Sequence, residues 1–267
     1  QAMPVFPPAP GRDLTVNSPL YEAVFHTGGG ALRSFKLKQY QTGLAVDSPL
    51  VNLVDPKTAA VAPLGLVVNS QPSWSTGQWS VEGNENGLNI GAGQQGVLRF
   101  DGEVDNLRVI REMTFSSDTY LIREKVRVVN TTDQARSVRV SYTVAADASN
   151  AAGDRYDAMR LAWDNDGSLG EESSPKTLET TGAQVAGKIY WAGTMSTYFL
   201  AAVLPGDTSN VTVKGRMQQN VFRAAVEEPE VMLGPGQERE LTVSYWVGPK
   251  ERAKLAAVSD QLAKSID

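Results

Sequence analysis

Residues 136–144 read RSVRVSYTV, a run in which apolar and polar side chains alternate. Its apolar members are Val138, Val140, Tyr142 and Val144. Because successive side chains of a β-strand point to opposite faces of the sheet, this period of two predicts a strand with one buried face and one solvent face. Half-buried strands of this kind are typical of antiparallel sheets.

A second alternating run, residues 120–128 (YLIREKVRV), precedes the first. Its predicted inward side chains are Tyr120, Ile122, Val126 and Val128, and its predicted outward side chains are Arg123, Lys125 and Arg127. The turn-forming residues 130–133 (NTTD) separate the two runs, which predicts that they pair as a hairpin. Residues 106–115 alternate as well and are predicted to pair in the same sheet, and residues 241–247 near the C-terminus show the same alternation.

Short strand patterns fill most of the chain. Further examples occupy residues 14–26, 31–38, 64–69, 187–192, 197–204, 211–216 and 220–226. Turns rich in Gly, Asn, Asp and Pro separate them, and many short strands punctuated in this way predict an antiparallel β-sandwich over residues 14–248. Gly28 to Gly30 lies between two strands and predicts a tight turn. Residues 145–176 break the alternation and predict a long excursion, with a helical turn around Tyr156 to Leu161.

The two ends of the chain differ from this pattern. Residues 1–13 are Pro-rich and predict an extended leader. Residues 249–267 predict an amphipathic helix, because Pro249 suits the first helical position and Glu251 falls in the first turn. The apolar stripe of this helix consists of Leu255, Val258 and Leu262. We expect the stripe to dock the helix onto the sandwich; the alternative is an exposed face that binds a partner.

Composition excludes several classes of function. The 267 residues carry a formal net charge of -5, which does not suit a nucleic-acid binder. Cysteine is absent, so disulfides, thiolate catalysis and cysteine-ligated metals are excluded. No run approaches the roughly 20 apolar residues of a membrane-spanning helix. We expect no cofactor and no metal ion.

The sequence contains three candidate sites for catalysis or ligand binding. His26 is the single histidine, so a catalytic centre that needs two cannot be built, and we interpret it as structural. The acidic run around Asp164, Asp166 and Glu171 lacks the glycine and glutamate spacing of a calcium loop, which favours a solvated turn. The tryptophans could stack on a sugar, but Tyr190, Trp191, Tyr198 and Phe199 lie in apolar strands, where core packing is the simpler interpretation.

The order of three elements resembles a known family. The first is the turn at residues 28–30 followed by 31–40 (ALRSFKLKQY). The second is 190–205 (YWAGTMSTYFLAAVLP), and the third is 245–250 (YWVGPK) leading into a helix that ends with 262–267 (LAKSID). Together they resemble the large periplasmic domain of the bacterial YidC membrane protein insertase, over nearly the whole chain from Leu14 onward.

This resemblance implies an all-β fold, a β-supersandwich similar to galactose mutarotase, with a C-terminal amphipathic helix. It implies a non-catalytic domain on the periplasmic side of the inner membrane of Gram-negative bacteria, anchored through segments outside this chain. The implied role is to assist insertion and folding of membrane proteins by protein contacts and orientation. The implied partners are accessory proteins of the Sec translocon and nascent membrane proteins. The alternative hypothesis is a periplasmic carbohydrate-binding or mutarotase-like protein of the same fold.

Overall fold

The computed structural model describes residues 9–75, 78–149 and 158–266. The strands are β1 (Asp13–Asn17), β2 (Tyr21–His26), β3 (Leu32–Gln41), β4 (Leu50–Asn52), β5 (Leu66–Val68), β6 (Gln71–Pro72), β7 (Ser80–Glu82), β8 (Leu88–Asn89), β9 (Gln95–Val104), β10 (Leu107–Ser116), β11 (Leu121–Val129), β12 (Arg136–Val138), β13 (Val140–Asp147), β14 (Arg160–Asn165), β15 (Ser168–Glu172), β16 (Ala183–Gly187), β17 (Ile189–Met195), β18 (Phe199–Pro205), β19 (Val211–Gln218), β20 (Val221–Glu227), β21 (Val231–Leu233) and β22 (Glu238–Pro249). The helices are α1 (Pro56–Ala59), α2 (Pro175–Thr180), α3 (Arg252–Val258) and α4 (Asp260–Ala263), followed by a 3₁₀ turn at Lys264–Ile266.

A nine-stranded sheet forms the centre of the molecule, in the order β15-β14-β17-β18-β22-β11-β10-β9-β7. A five-stranded sheet has the order β4-β3-β2-β1-β8, and a six-stranded sheet has the order β16-β19-β20-β13-β5-β6. Strands β12 and β21 pair separately. Neighbours are antiparallel except β8, which runs parallel to β1. The predicted all-β antiparallel sandwich is therefore confirmed.

The two smaller sheets cover different halves of the central sheet. The five-stranded sheet packs on the β10 and β11 half, where the ring of Phe25 lies 5.5 Å from that of Phe115 and the ring of Tyr21 lies 6.3 Å from that of Tyr120. The six-stranded sheet packs through β13 and β20 on β17 and β18. Most of the core is thus one apolar layer between sheets, as in other face-to-face sheet packings, with two small apolar clusters beside it.

The predicted hairpin between residues 120–128 and 136–144 is wrong. Strand β11 pairs with β10 on one side and with β22 on the other, whereas β13 pairs with β20 and β5 in another sheet. The turn residues between them are real, since the side chain of Asn130 is buried and its amide donates to the carbonyls of Gln134 (2.8 Å) and Leu233 (3.0 Å). The turn therefore moves the chain from one sheet to another.

Strand β13 is buried on both faces, so the expected solvent face is also wrong. Ser141 and Thr143, which alternation placed outward, are buried. The loop after α1 covers them, and the Thr143 hydroxyl donates to the carbonyls of Ala62 (3.1 Å) and Gly65 (3.0 Å). The Ser141 hydroxyl donates to Glu227 Oε2 at 3.4 Å, so both small hydroxyl side chains tolerate burial because their hydrogen bonds are satisfied.

Gly28 to Gly30 forms the predicted tight turn between β2 and β3. Gly29 and Gly30 have φ angles of +100° and +76°, a region that side chains disfavour. A Cβ on Gly29 would lie 2.4 Å from the carbonyl oxygen of Ser73. Only glycine therefore lets this turn pack against the chain before Trp74.

The excursion after β13 is largely strand where the structure describes it. Residues 156 and 157 of the predicted helical turn lie outside the described residues, and Arg160 and Leu161 belong to β14 rather than to a helix. Strands β14 and β15 form a hairpin whose turn is Asp166-Gly167, with positive φ at both positions. Asp-Gly is a preferred pair for such two-residue turns.

The predicted C-terminal helix is divided in two. Strand β22 extends through Pro249, which therefore does not start a helix, and the helix begins only at Arg252. Ser259 is extended (φ -167°, ψ 155°), and its hydroxyl accepts the N–H of Leu262 at 3.0 Å as the N-cap of α4. No helix in the described part of the chain is long and apolar enough to cross a membrane.

Candidate functional site

The segment of residues 250–266, called here the C-terminal segment, holds the predicted stripe. Leu255 and Leu262 are fully buried and belong to the main core, and Val258 packs against it while partly exposed. The break at Ser259 lets both leucines point inward, and α4 packs on β17. The geometry therefore places all three predicted residues against the sandwich; their role in function stays a prediction.

Two side-chain hydrogen bonds fasten the end of this segment to the sandwich, and a third lies within the segment. The indole Nε1 of the buried Trp191 on β17 donates to the carbonyl of Gln261 at 2.8 Å. The Lys264 ammonium donates to the carbonyl of Gly167 at 3.0 Å, which reaches the β14–β15 turn. The Lys250 ammonium donates to the carbonyl of Ser265 at 3.0 Å. Because a hydrogen bond needs a short distance and a favourable angle, the contacts with Trp191 and Gly167 set the orientation of the segment on the sandwich.

The start of the segment is tied to the five-stranded sheet through Tyr40. The Tyr40 hydroxyl donates to Glu251 Oε1 at 2.6 Å, and its ring meets the edge of Phe199 with centroids 5.8 Å apart. Burial, and then the hydrogen bond to Glu251, raises the pKa of Tyr40 well above its ordinary value. The phenol therefore stays protonated and able to donate at any physiological pH.

A buried ion pair in the central sheet was missed from the sequence. Arg111 contacts both oxygens of Glu124 (2.6 and 2.9 Å) and donates to the carbonyls of Gly29 (2.8 Å) and Leu64 (2.6 Å). The Tyr245 hydroxyl also donates to Glu124, at 2.8 Å. Burial, followed by the charge of Glu124, raises the pKa of Tyr245 well above its usual range. Burial opposes the charge on Arg111, but Glu124 outweighs it and raises the pKa of the guanidinium.

This cluster is structural, because Arg111, Glu124 and Tyr245 are all closed to solvent and to any substrate. It fixes the carbonyl of Gly29 against the central sheet and so holds the β2–β3 turn. A signal was present: both charges occupy inward positions of the alternation in neighbouring strands, Arg111 with Val109 and Met113, Glu124 with Ile122 and Val126. Charges at inward positions of paired strands indicate a buried pair.

His26 lies at the end of β2 with both ring nitrogens occupied. Nδ1 is 3.2 Å from Asp13 Oδ1, and Nε2 is 2.7 Å from the carbonyl oxygen of Ala9. A cavity of about 610 Å³ opens beside it, lined by Asp13, Arg33, Trp74 and α1 among others. Both ring nitrogens of His26 therefore have partners within the fold, and its structural interpretation stays a prediction.

The acidic residues of the β14–β15 hairpin do not converge. Asp164 is buried rather than solvated, which corrects the expectation, and its Oδ1 accepts the N–H of Gly167 at 2.7 Å. Asp166 forms the turn, and Glu171 pairs with Arg160 at 3.0 Å. Among residues 9–75, 78–149 and 158–266, no group of three potential metal ligands is brought together.

The aromatic residues follow the core interpretation with one correction. Trp191 is fully buried, and Tyr190 and Phe199 are partly buried against the core. Tyr198 is 56% exposed, because it lies in the turn between β17 and β18 rather than in a strand. Its carbonyl accepts the N–H of Lys250 at 2.7 Å, so it stands beside the start of the C-terminal segment.

Comparison with solved structures defines the class of fold. A galactose mutarotase-like protein from Lactobacillus casei superposes with a TM-score of 0.58, covering 88% of this chain and 100% of that chain at 11% sequence identity. At that identity the likeness concerns the fold alone. The molecule is therefore a galactose mutarotase-like β-supersandwich, as the resemblance implied.

Comparison of the sequence defines the family. The model of the YidC periplasmic domain family matches residues 13–267. A relative named membrane protein insertase YidC, from Nitratidesulfovibrio vulgaris, is 47% identical over 99% of this chain. One of the same name from Lawsonia intracellularis is 40% identical over 98% of it. The chain belongs to the YidC periplasmic domain family.

The chain spans about half the length of these relatives, 48% of the first and 49% of the second. The matched part is the periplasmic domain.

Proposed function

We propose that this chain is the periplasmic portion of an inner-membrane protein insertase, and that it assists insertion and folding of membrane proteins without catalysing a reaction. Family membership over residues 13–267 supports the assignment. The supporting observation in the structure is the docked C-terminal segment, which buries Leu255 and Leu262 and is hydrogen-bonded to Trp191 and to the carbonyl of Gly167 in the sandwich. A packed segment transmits orientation, whereas a loose linker lets a domain tumble.

The contacts we propose are with accessory proteins of the Sec translocon and with nascent membrane proteins. The outward face of α3 is free to meet them, since Ala253, Ala256 and Ala257 are exposed. Unpaired edges of the sheets, such as that of β15, offer a second route by backbone pairing. The wholly structural ion pair and the single, hydrogen-bonded histidine favour a role by contact over one by chemistry.

Site-specific photocrosslinking within the full-length protein in intact membranes tests this proposal. A photoreactive residue at Ala256 or Ala257 should give adducts with translocon components or with nascent membrane proteins. The matched control is Asn86, which is equally exposed in the turn before β8. Identical adducts from Asn86 and from α3, or adducts from neither, would contradict the proposal.

A second candidate function, carbohydrate binding, has one observation in its favour: the cavity beside His26 in a mutarotase-like fold. We expect galactose and glucose to leave the melting temperature unchanged. A sugar-dependent rise that disappears in His26→Ala would instead support the carbohydrate hypothesis, because His26 lines the cavity. A rise that persists in that variant would place the sugar elsewhere.

A further inference from the structure

The turn between β3 and β4 exposes two aliphatic side chains almost completely. In residues 42–49, called here the hairpin tip, Leu44 is 106% exposed and Val46 is 94% exposed. Single exposed apolar residues are ordinary on protein surfaces. Two fully exposed aliphatic side chains, two positions apart at the end of a hairpin, form a convex apolar point.

The hairpin tip has a defined conformation that presents these side chains. The side-chain amide of Gln41 donates to the carbonyls of Val46 (2.8 Å) and Ser48 (3.1 Å). The backbone N–H of Thr42 donates to the carbonyl of Pro49 (2.9 Å). Ser48 N–H donates to the carbonyl of Ala45 (3.0 Å). The backbone is therefore tied inside the loop while the aliphatic side chains point away from it.

The position of the hairpin tip links it to the C-terminal segment. Tyr40, which contacts Glu251 and Phe199, lies four residues before Leu44. Four extended residues span at most roughly 13 Å, so the tip stays near the start of the C-terminal segment. The exposed ring of Tyr198 lies at that same end of the molecule.

We propose that the hairpin tip inserts Leu44 and Val46 into the interfacial layer of a phospholipid bilayer. The inference rests on the proposed function, because it requires the domain to work beside a membrane. Insertion removes the two aliphatic side chains from water, and Tyr198 at the same end is of the kind that lies at headgroup depth. The C-terminal segment would then set the angle at which the tip meets the bilayer.

A bilayer fits this surface better than a protein does. The two side chains offer roughly 300 Å² of apolar area, against the roughly 800 Å² that each partner buries in a stable protein interface. The same area is too small for a stable interface with a second copy of the chain. A bilayer needs no complementary shape, and a protruding point enters it more easily than a flat face. Asp47, within the tip, is negative, so the driving force is aliphatic burial, and anionic lipids should not increase it.

The absence of cysteine makes a direct test available, because a single introduced cysteine accepts one label. Leu44→Cys carries the environment-sensitive fluorophore NBD, and a C-terminal histidine tag tethers the chain to phosphatidylcholine vesicles that contain a nickel-chelating lipid. We expect NBD emission to shift to shorter wavelength and to rise about twofold or more, and spin-labelled lipids to quench it. Replacing part of the phosphatidylcholine by phosphatidylglycerol should not increase the response.

The matched control is Met232→Cys, since Met232 is also strongly exposed (65%) but lies on β21. Its label should remain in water. Emission at position 44 that does not change, or that changes equally at position 232, would overturn the inference. A change that appears only with native membranes and not with pure lipid would overturn it in favour of a protein partner. Tethering by the tag does not depend on an insertase role, so a negative result here and a negative crosslinking result are separate failures.

Discussion

The hairpin tip lies near the start of the C-terminal segment, and the leucines of the two regions differ in their exposure to solvent. Leu255 and Leu262 are closed off in the core, whereas Leu44 is wholly in water. Apolar burial and hydrogen bonds with Trp191 and Gly167 hold the segment on the sandwich. The tip is ordered by backbone hydrogen bonds and by the side chain of Gln41. Apolar contacts therefore hold the C-terminal segment against the sandwich, whereas the hairpin tip projects its apolar side chains into solvent.

The largest effect should follow from a charge at the buried end of the C-terminal segment. Leu262→Asp buries an unpaired carboxylate and empties an apolar site, so we expect the free energy of unfolding to fall by about 3–5 kcal/mol. Leu255→Asp should behave alike. Urea denaturation followed by circular dichroism measures the change.

The control for that variant is Ala257→Asp, which places the same charge on the exposed face of α3. It should cost less than about 1 kcal/mol, the price in helix propensity. Equal losses at positions 257 and 262 would mean that the segment is not docked in solution, and the contrast with the hairpin tip would disappear.

Tyr40→Phe should have the next largest effect, because it removes the hydrogen bond that joins the base of the hairpin to Glu251. We expect a loss of about 1.5–3 kcal/mol, typical of a hydrogen bond to a charged group. Because the pKa of Tyr40 is raised, the phenol stays protonated from neutral pH to about pH 9. The difference in unfolding free energy between Tyr40→Phe and the unmodified chain should therefore not change over that range.

Tyr198→Phe is the matched control for Tyr40→Phe, since it also removes a phenol hydroxyl, but from an exposed ring in the turn between β17 and β18. Its free energy of unfolding should lie within about 0.5 kcal/mol of that of the unmodified chain. If Tyr40→Phe were equally silent, the anchoring of the hairpin to the C-terminal segment would be refuted.

Ser259→Ala tests the break that lets both leucines face the core. The variant loses the N-cap of α4, and the expected cost is about 1 kcal/mol. Ser259→Asp restores a capping oxygen and should recover most of the stability. Thermal melts of the two variants, run side by side, separate the cap from any general intolerance of substitution at this position.

The smallest effect is expected at the hairpin tip. Leu44→Ser combined with Val46→Ser should change the free energy of unfolding by no more than about 0.5 kcal/mol, because neither side chain has core contacts to lose. Calorimetric melting of the double variant provides the measurement. A loss comparable to that of Leu262→Asp would show that the side chains of the tip are packed, which would contradict their exposure to solvent.

The positions of the strands could be predicted from the sequence because alternation is a local property. Tyr120, Ile122, Val126 and Val128 face inward as the period of two required. The pairing of β11 with residues 106–115, which form β10, was predicted and is confirmed. The pairing of β11 with β22 could not be predicted, since the same alternation fits any neighbour and β22 lies more than a hundred residues away. The turn at Asn130 therefore indicated a reversal of the chain without indicating a partner.

The candidate site was predicted in its residues but not in its geometry. Helical spacing correctly grouped Leu255, Val258 and Leu262, yet the break at Ser259 was missed although serine followed by aspartate is a common start of a helix. Tyr198 was expected in the core and lies exposed in a turn. The exposed Leu44 and Val46 gave no signal, since an apolar pair in a loop is equally consistent with burial.

The sequence by itself determined that this protein is all-β, that it cannot use thiolate or paired-histidine chemistry, and that its order of elements matches one family. These properties depend on residue types and on the two-residue period of an extended backbone, which each segment carries alone. Only the tertiary structure decided which strands are neighbours, that Arg111 and Glu124 meet in the core, and which leucines reach water. The physical reason is that burial is a property of what surrounds a side chain, and those surroundings come from distant parts of the chain.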